Sequence, residues 1–222
     1  MHEMIKAIGF DMDGVLVDTM KNHARAWQQT FLEHKYKIEE QLIFQLEGMN
    51  GPKTIDWLND HYSFSLSTEA KQLIYNRKRL LFKEINVLSF FEDTIDTIRY
   101  IQKQGLKTAL ITGSNREFAE EVLKSKNLTF DAVITGSDVK NGKPHPEPYQ
   151  RAMEALMIDP KEWLIVENAP LGITAAKKAG AKVLAVETSL PKQYLTHADH
   201  IIPFPALLKE EIINWINERE RL

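Results

Sequence analysis

The pattern of apolar and polar positions divides this chain into two textures. Residues 5–10 form a short apolar run that ends in Asp11-Met12-Asp13-Gly14. An apolar stretch closed by acids and a glycine predicts a buried strand running into a loop. Between 19 and 34 the period changes, with Ala24, Trp27 and Phe31 on one helical face. Helical stretches follow at 38–46, 52–61 and 68–85, and no strand pattern is visible between 18 and 86.

Beyond Glu92, helices and strands alternate. A helix at 93–104, stopped by Gly105, precedes a strand at 107–111, and a helix at 117–125 precedes a strand at 132–135. A helix at 148–155 precedes a strand at 164–166, and a helix at 171–179, stopped by Gly180, precedes a strand at 182–186. An amphipathic helix at 207–219 closes the sheet with Ile212, Ile213, Trp215 and Ile216. The alternation predicts an α/β fold: a parallel sheet with helices on both faces and right-handed crossovers. The helical block at 18–86 reads as an inserted domain, leaving 1–17 and 87–222 as the core.

Ligands of such sheets sit beyond the carboxyl ends of the strands. The first strand ends in Asp11-Met12-Asp13 and the second in Thr112-Gly113-Ser114-Asn115. The third leads to Lys143, and the fourth ends in Glu167-Asn168. Every one of these ends delivers groups suited to phosphate or a divalent cation. Asp11 and Asp13 repel each other unless a cation intervenes, and Mg2+ prefers carboxylate oxygens, water and substrate phosphate. One carboxylate can attack phosphorus, and the other can pass a proton to the leaving group. A helix cap at Thr112-Gly113-Ser114 is compatible with an anion site, because both use a helix N-terminus.

Composition narrows the field. Among 222 residues, 28 Lys and Arg face 31 Asp and Glu, a formal net charge of −3, without the basic excess of nucleic-acid binders. The chain has no cysteine, which excludes disulfides, thiolate catalysis and Cys-ligated zinc. No apolar run approaches the ~20 residues that span a bilayer, and residues 1–6 are too polar for a secretory signal. The expectation is a cytoplasmic monomer acting on a small phosphorylated metabolite, with no nucleic acid and no membrane as partner.

Asp11-Met12-Asp13-Gly14-Val15-Leu16-Val17-Asp18-Thr19 closely resembles the first motif of the haloacid dehalogenase superfamily. Thr112-Gly113-Ser114, Lys143-Pro144, and Glu167-Asn168 with Gly172 and Ala179-Gly180 resemble its second, third and fourth motifs. The whole chain looks like the β-phosphoglucomutase-like branch, with a Rossmann-like core and a helical cap. The resemblance implies Mg2+-dependent phosphate hydrolysis through an aspartyl-phosphate. Asp11 is then the nucleophile and a metal ligand, and Asp13 the acid/base and, with its carbonyl, also a metal ligand. Thr112 and the amides near Gly113, Ser114 and Asn115 bind the phosphoryl group, and Lys143 offsets its charge. The branch usually has Glu-Asp or Asp-Asp in the fourth motif. Here Asn168 is the expected metal ligand, with one negative charge fewer, and Glu167 is expected at the metal or its water.

Two cap positions complete the expectation. His23 corresponds to a histidine that meets sugar phosphate in the mutases. Glu47, in the loop Glu47-Gly48-Met49-Asn50-Gly51, is expected to bind metal or metal water, or to narrow the pocket as in pyrophosphate hydrolases of the branch. The mutases carry an arginine where this chain has Gly51, so hydrolysis leads over β-phosphoglucomutase-type transfer, with Lys53 a nearby substitute. A non-catalytic phosphometabolite-binding protein is the third reading. The basic stretch 71–79 reads as a solvated helix face.

Overall fold

The computed structural model describes residues 4–217. Strand β1 (Ala7–Phe10) lies at the centre of a six-stranded sheet and is buried along its length. Helices α1 (Met20–Glu33), α2 (Glu40–Gln45), α3 (Gly51–Tyr62) and α4 (Thr68–Ile85) follow it. The chain then returns through α5 (Glu92–Lys103), β2 (Lys107–Ile111), α6 (Arg116–Ser125), β3 (Ala132–Ile134) and α7 (Glu147–Leu156). It ends with β4 (Trp163–Glu167), α8 (Pro170–Lys178), β5 (Lys182–Val186), β6 (His200–Ile202) and α9 (Leu208–Asn217).

The strand order is β3-β2-β1-β4-β5-β6, and every pairing is parallel. The apolar runs of β1, β2, β4 and β5 suit this arrangement, because a parallel sheet is covered on both faces. Ile8, Phe10, Leu110, Leu164 and Val166 face one layer, beneath α5, α6 and α9. Ala7, Ile111, Trp163, Ile165 and Val183 face the other, beneath α7 and α8. Central position puts the end of β1 beside the ends of both β2 and β4.

Helices α1 to α4 gather around a separate apolar cluster that includes Trp27, Phe31, Ile43, Ile55, Leu58 and Ile74. Asn50 caps α3 by accepting the Lys53 amide, and Ser67 caps α4 by accepting the Ala70 amide, the usual use of short polar side chains at these positions. Contacts also join this layer to the core away from the strand ends, among them the packing of Phe82 on Phe118 and of Leu171 on the helical cluster. Asp18 N donates to Ser89 O, and Gln41 Nε2 donates to Tyr194 Oη at 2.6 Å.

The α/β expectation agrees with this architecture, with three differences in detail. Strand β6 escaped sequence reading because only His200, Ile201 and Ile202 form it, too short a run for alternation to register. Helix α9 begins at Leu208, after a 3-10 turn at Pro205–Leu207, and residues 218–219 of the expected helix lie outside the described residues. The reading of 71–79 as a solvated face fails at Lys78, which is buried on α4 with Ile74 and Phe82. Among the described residues no helix is long and apolar enough to cross a membrane.

Candidate active site

The strand ends of β1, β2 and β4 bring Asp11, Thr112 and Glu167 together, and the loop before α7 lays Lys143 across them. Lys143 is almost wholly buried, yet its ammonium is well supplied with acceptors. Nζ donates to Asp11 Oδ1 at 2.6 Å, to Glu167 Oε1 at 2.6 Å and to the carbonyl of Ile111 at 3.3 Å. Two carboxylates share one cation, which keeps the Lys143 ammonium charged despite burial. Burial pushes the Asp11 carboxyl up to about 8; Lys143 opposes this and the Glu167 charge adds to it.

Glu167 is held from several sides. Tyr149 Oη donates to Oε1 at 2.7 Å, and the amides of Asn168 and Ala169 donate to Oε2 at 2.9 and 3.2 Å. Tyr149 is fully buried, and Lys143 Nζ lies 5.2 Å from its ring centre. Tyr149 gave no chemical signal in the sequence; within Pro146-Glu147-Pro148-Tyr149 it read only as helix start.

Asp13 occupies a different environment. Thr19 Oγ1 donates to Oδ1, Ser114 Oγ donates to Oδ2 at 2.8 Å, and His23 Nε2 stands 3.4 Å from Oδ1. Burial alone would raise its pKa. His23 is the strongest opposing influence, followed by Thr19 and Ser114, and together they hold Asp13 down at about 2. Lys78 Nζ lies 2.8 Å from His23 Nδ1, so a neutral imidazole accepts from lysine at Nδ1 and turns its Nε2–H toward Asp13. Burial, then Lys78, lowers the His23 pKa. The His23 ring also stacks on Phe82, with centroids 3.9 Å apart. Lys78 was the group sequence reasoning missed. Its spacing from Ile74 and Phe82 places it on the apolar face of α4, and that periodicity was the available signal.

Thr112 is buried, and its Oγ1 accepts the Ser114 amide at 3.0 Å. Asn115 caps α6 by accepting the Phe118 amide at 2.9 Å. Gly113 lies against the loop after α2: a Cβ there would stand 2.5 Å from the Gly48 carbonyl. Gly48 has φ +85°, and a Cβ on it would meet the Lys143 stem at 2.7 Å. Glycine therefore serves twice at this contact, for a left-handed backbone and for close approach.

Glu47 reaches from this loop into the core. Both its oxygens accept from Asn168 Nδ2, at 3.0 and 2.9 Å. It is buried beside Asp11 and Glu167, and burial followed by those charges drives its pKa well above the usual carboxylate range. Asn168 Oδ1 is buried without a hydrogen-bond partner. Lys53 is exposed on α3 and does not line the site.

A cavity of about 560 Å³ opens beside these groups. Asp11, Asp13, Thr112 and Glu47 line one end, and it extends between α4 and α6 past Tyr75, Arg79 and Phe118. That volume suits a metabolite-sized ligand.

The donor chemistry fits Mg2+. Among the described residues no three His or acidic side chains are grouped to hold a metal by themselves. The orphaned Asn168 oxygen and the excess of buried carboxylates over Lys143 nevertheless supply hard oxygen donors and negative charge. Glu167 is the least available of them, since protein donors already engage both its oxygens.

Residues 8–186 match the family of haloacid dehalogenase-like hydrolases. Validoxylamine A 7'-phosphate phosphatase of Streptomyces hygroscopicus subsp. limoneus is 25% identical over 202 residues, covering 90% of this chain and 93% of that protein. Pyrophosphatase PpaX of Bacillus mycoides is 31% identical over 192 residues, covering 84% and 85%. The crystal structure of β-phosphoglucomutase from Clostridium difficile superposes with a TM-score of 0.83 at 25% identity, covering 98% of this chain and 99% of that one. With that family matched across most of its length, the chain belongs to the haloacid dehalogenase-like hydrolases, as an enzyme of their phosphatase group.

Proposed function

We propose that this protein is a Mg2+-dependent phosphohydrolase that transfers the phosphoryl group of a small metabolite phosphate to Asp11 and then to water. The observation that carries the reading is the contrast between two neighbouring carboxylates. Asp11 is paired with the Lys143 ammonium, and Asp13 is ringed by Thr19, Ser114 and His23. Environments that separate two carboxylates in this way assign them different tasks.

Asp11 attacks phosphorus, with Lys143 offsetting charge on the nucleophile and the incoming phosphate. Thr112, its hydroxyl oriented by the Ser114 amide, and the amide of Gly113 orient the phosphoryl oxygens; phosphoryl transfer depends more on positioning and charge than on covalent assistance. Asp13 protonates the departing oxygen and later takes a proton from the attacking water. Held ionised, Asp13 is in the right state for the second task, though the donors that lower its pKa to about 2 also weaken it as a base. The first requires substrate to displace one of the donors that hold Asp13 ionised. Mg2+ supplies further charge neutralisation when bound. Asp11, Asp13 and Asn168 would hold it, with Glu167 fixing Lys143 and Glu47 adding from the cap the charge that Asn168 lacks. Helices α1 to α4 act as a cap over the strand ends, with boundaries at 18 and 86, and exclude bulk water.

Phosphate release tests the reading, measured with Mg2+ across hexose phosphates, nucleotides and pyrophosphate beside an Asp11→Asn control. Release from at least one substrate that vanishes in the control supports it. Release that survives in the control rejects Asp11 as nucleophile. Movement of phosphate between positions of β-glucose 1-phosphate, with none released, would identify a mutase.

A further inference from the structure

One wall of the cavity carries positive charge that the chemistry at Asp11 does not use. Tyr75, Arg79 and Lys83 follow each other on α4 at intervals of four residues and line the cavity together. That spacing stacks side chains along one helix edge. Arg79 and Lys83 are exposed at the mouth, and among the described residues neither is in an ion pair. Arg77, two residues from Arg79, points elsewhere and makes two bonds to Glu33, at 2.8 and 2.9 Å. Arg79 instead lies over the Tyr75 ring, with the guanidinium carbon 5.8 Å from its centroid. Stacking on an aromatic face orients a guanidinium and leaves its N–H donors free.

The platform under Arg79 is itself fixed by a close approach. A Cβ on Gly51 would stand 2.2 Å from Tyr75 Cε2, so only glycine lets the ring press against the start of α3. Lys78, on the neighbouring buried face of α4, also lines the cavity and adds a third cation. The opposite wall carries Glu117 and Glu121 from α6, which would repel an anion placed there. The cavity is thus polarised: cations on the α4 wall, carboxylates on the α6 wall, and Asp11 at the base.

We propose that Tyr75, Arg79 and Lys83 form a second anion-recognition site, which selects phosphate esters bearing another anionic group on the leaving portion. The other anion is a phosphate or a carboxylate, both matched by a guanidinium fork. The inference rests on the phosphohydrolase reading for its reaction and on the α4 wall for its specificity.

The test compares substrates that differ in the second anion alone. Fructose 1,6-bisphosphate is set against fructose 1-phosphate and fructose 6-phosphate, and 3-phosphoglycerate against glycerol 3-phosphate. Wild-type protein is expected to favour the doubly anionic member of at least one set in kcat/KM. Arg79→Ala should reduce that preference about tenfold, the scale of one charge-assisted hydrogen bond, through KM rather than kcat. Arg79→Lys should restore part of it. Which set responds tells phosphate from carboxylate. Calorimetric binding of the same compounds to Asp11→Asn repeats the comparison without turnover, so failure of the hydrolase reading does not hide the result. No preference in any set, or a preference untouched by Arg79→Ala, overturns the proposal.

Discussion

The core and cap sides of this site are built in different ways. On the core side, Asp11, Thr112 and Glu167 stand at or just beyond the ends of β1, β2 and β4, where backbone pairing fixes them. Lys143, the one long side chain among them, is pinned between two carboxylates. On the cap side, His23, Glu47, Lys78 and Arg79 come from α1, from the loop after α2 and from α4. Side-chain contacts rather than a sheet place them: Lys78 on His23, Glu47 on Asn168, Arg79 on Tyr75. A rigid half suits groups that meet every substrate, and a half held by individual contacts suits groups that choose among substrates.

The largest expected effect breaks the core half. Asp11→Asn should lower phosphate release by about a thousandfold or more, the scale of losing a nucleophile, in any assay that supports wild-type turnover. Next is Lys143→Met, which strands Asp11 and Glu167 as buried carboxylates. Removing one partner of a buried ion pair costs about 3–5 kcal/mol, read as a fall in urea midpoint without Mg2+. A stability equal to wild type would mean that one of the two acids is protonated in the folded protein.

Three smaller changes test the contrast between the halves. Glu47→Gln keeps the shape of the contact with Asn168 and removes its charge. Mg2+ should bind about tenfold more weakly, read by Mn2+ or Mg2+ titration, on the scale of one lost charge-assisted interaction. The double change Glu47→Gln with Asn168→Asp should recover it. Tyr149→Phe removes one donor to Glu167 and should cost about 1.5–3 kcal/mol, as hydrogen bonds to charged groups do. The smallest effect belongs to Arg77→Ala, whose partner Glu33 is solvent-accessible: at most about 1 kcal/mol, with no change in substrate ranking. A change in ranking at Arg77 would remove the contrast with Arg79.

The same division explains what could be read from the sequence. Asp11, Asp13, Thr112 and Glu167 were legible as candidates because strand ends impose position: an apolar run followed by a polar group fixes both where it lies and which way the chain turns. Lys143, in the loop well beyond β3, was legible only through the motif it resembles. The existence and parallel pairing of five of the six strands followed from the alternation of helices and strands, and their order in the sheet did not. Lys78 was missed as a site residue, since a lysine among Arg77 and Arg79 reads as solvated unless its spacing from Ile74 and Phe82 is followed. Glu47 was suspected from its charge and its place in the loop Glu47-Gly48-Met49-Asn50-Gly51, but its pairing with Asn168 joins positions 121 residues apart, and no local pattern encodes that. Strand β6 is too short to carry a period, and Tyr149 looked like helix start because its hydroxyl acts across the fold.

The central claim is that Asp11 carries the phosphoryl group, and mass spectrometry of acid-quenched protein tests it most directly. After mixing with Mg2+ and a substrate from the release panel, the peptide containing Asp11 should gain the mass of one phosphoryl group. The gain should disappear when hydroxylamine cleaves acyl phosphates, and it should be absent from Asp11→Asn. Phosphate release through many turnovers with no phosphoryl group on that peptide, together with release persisting in Asp11→Asn, would contradict the account.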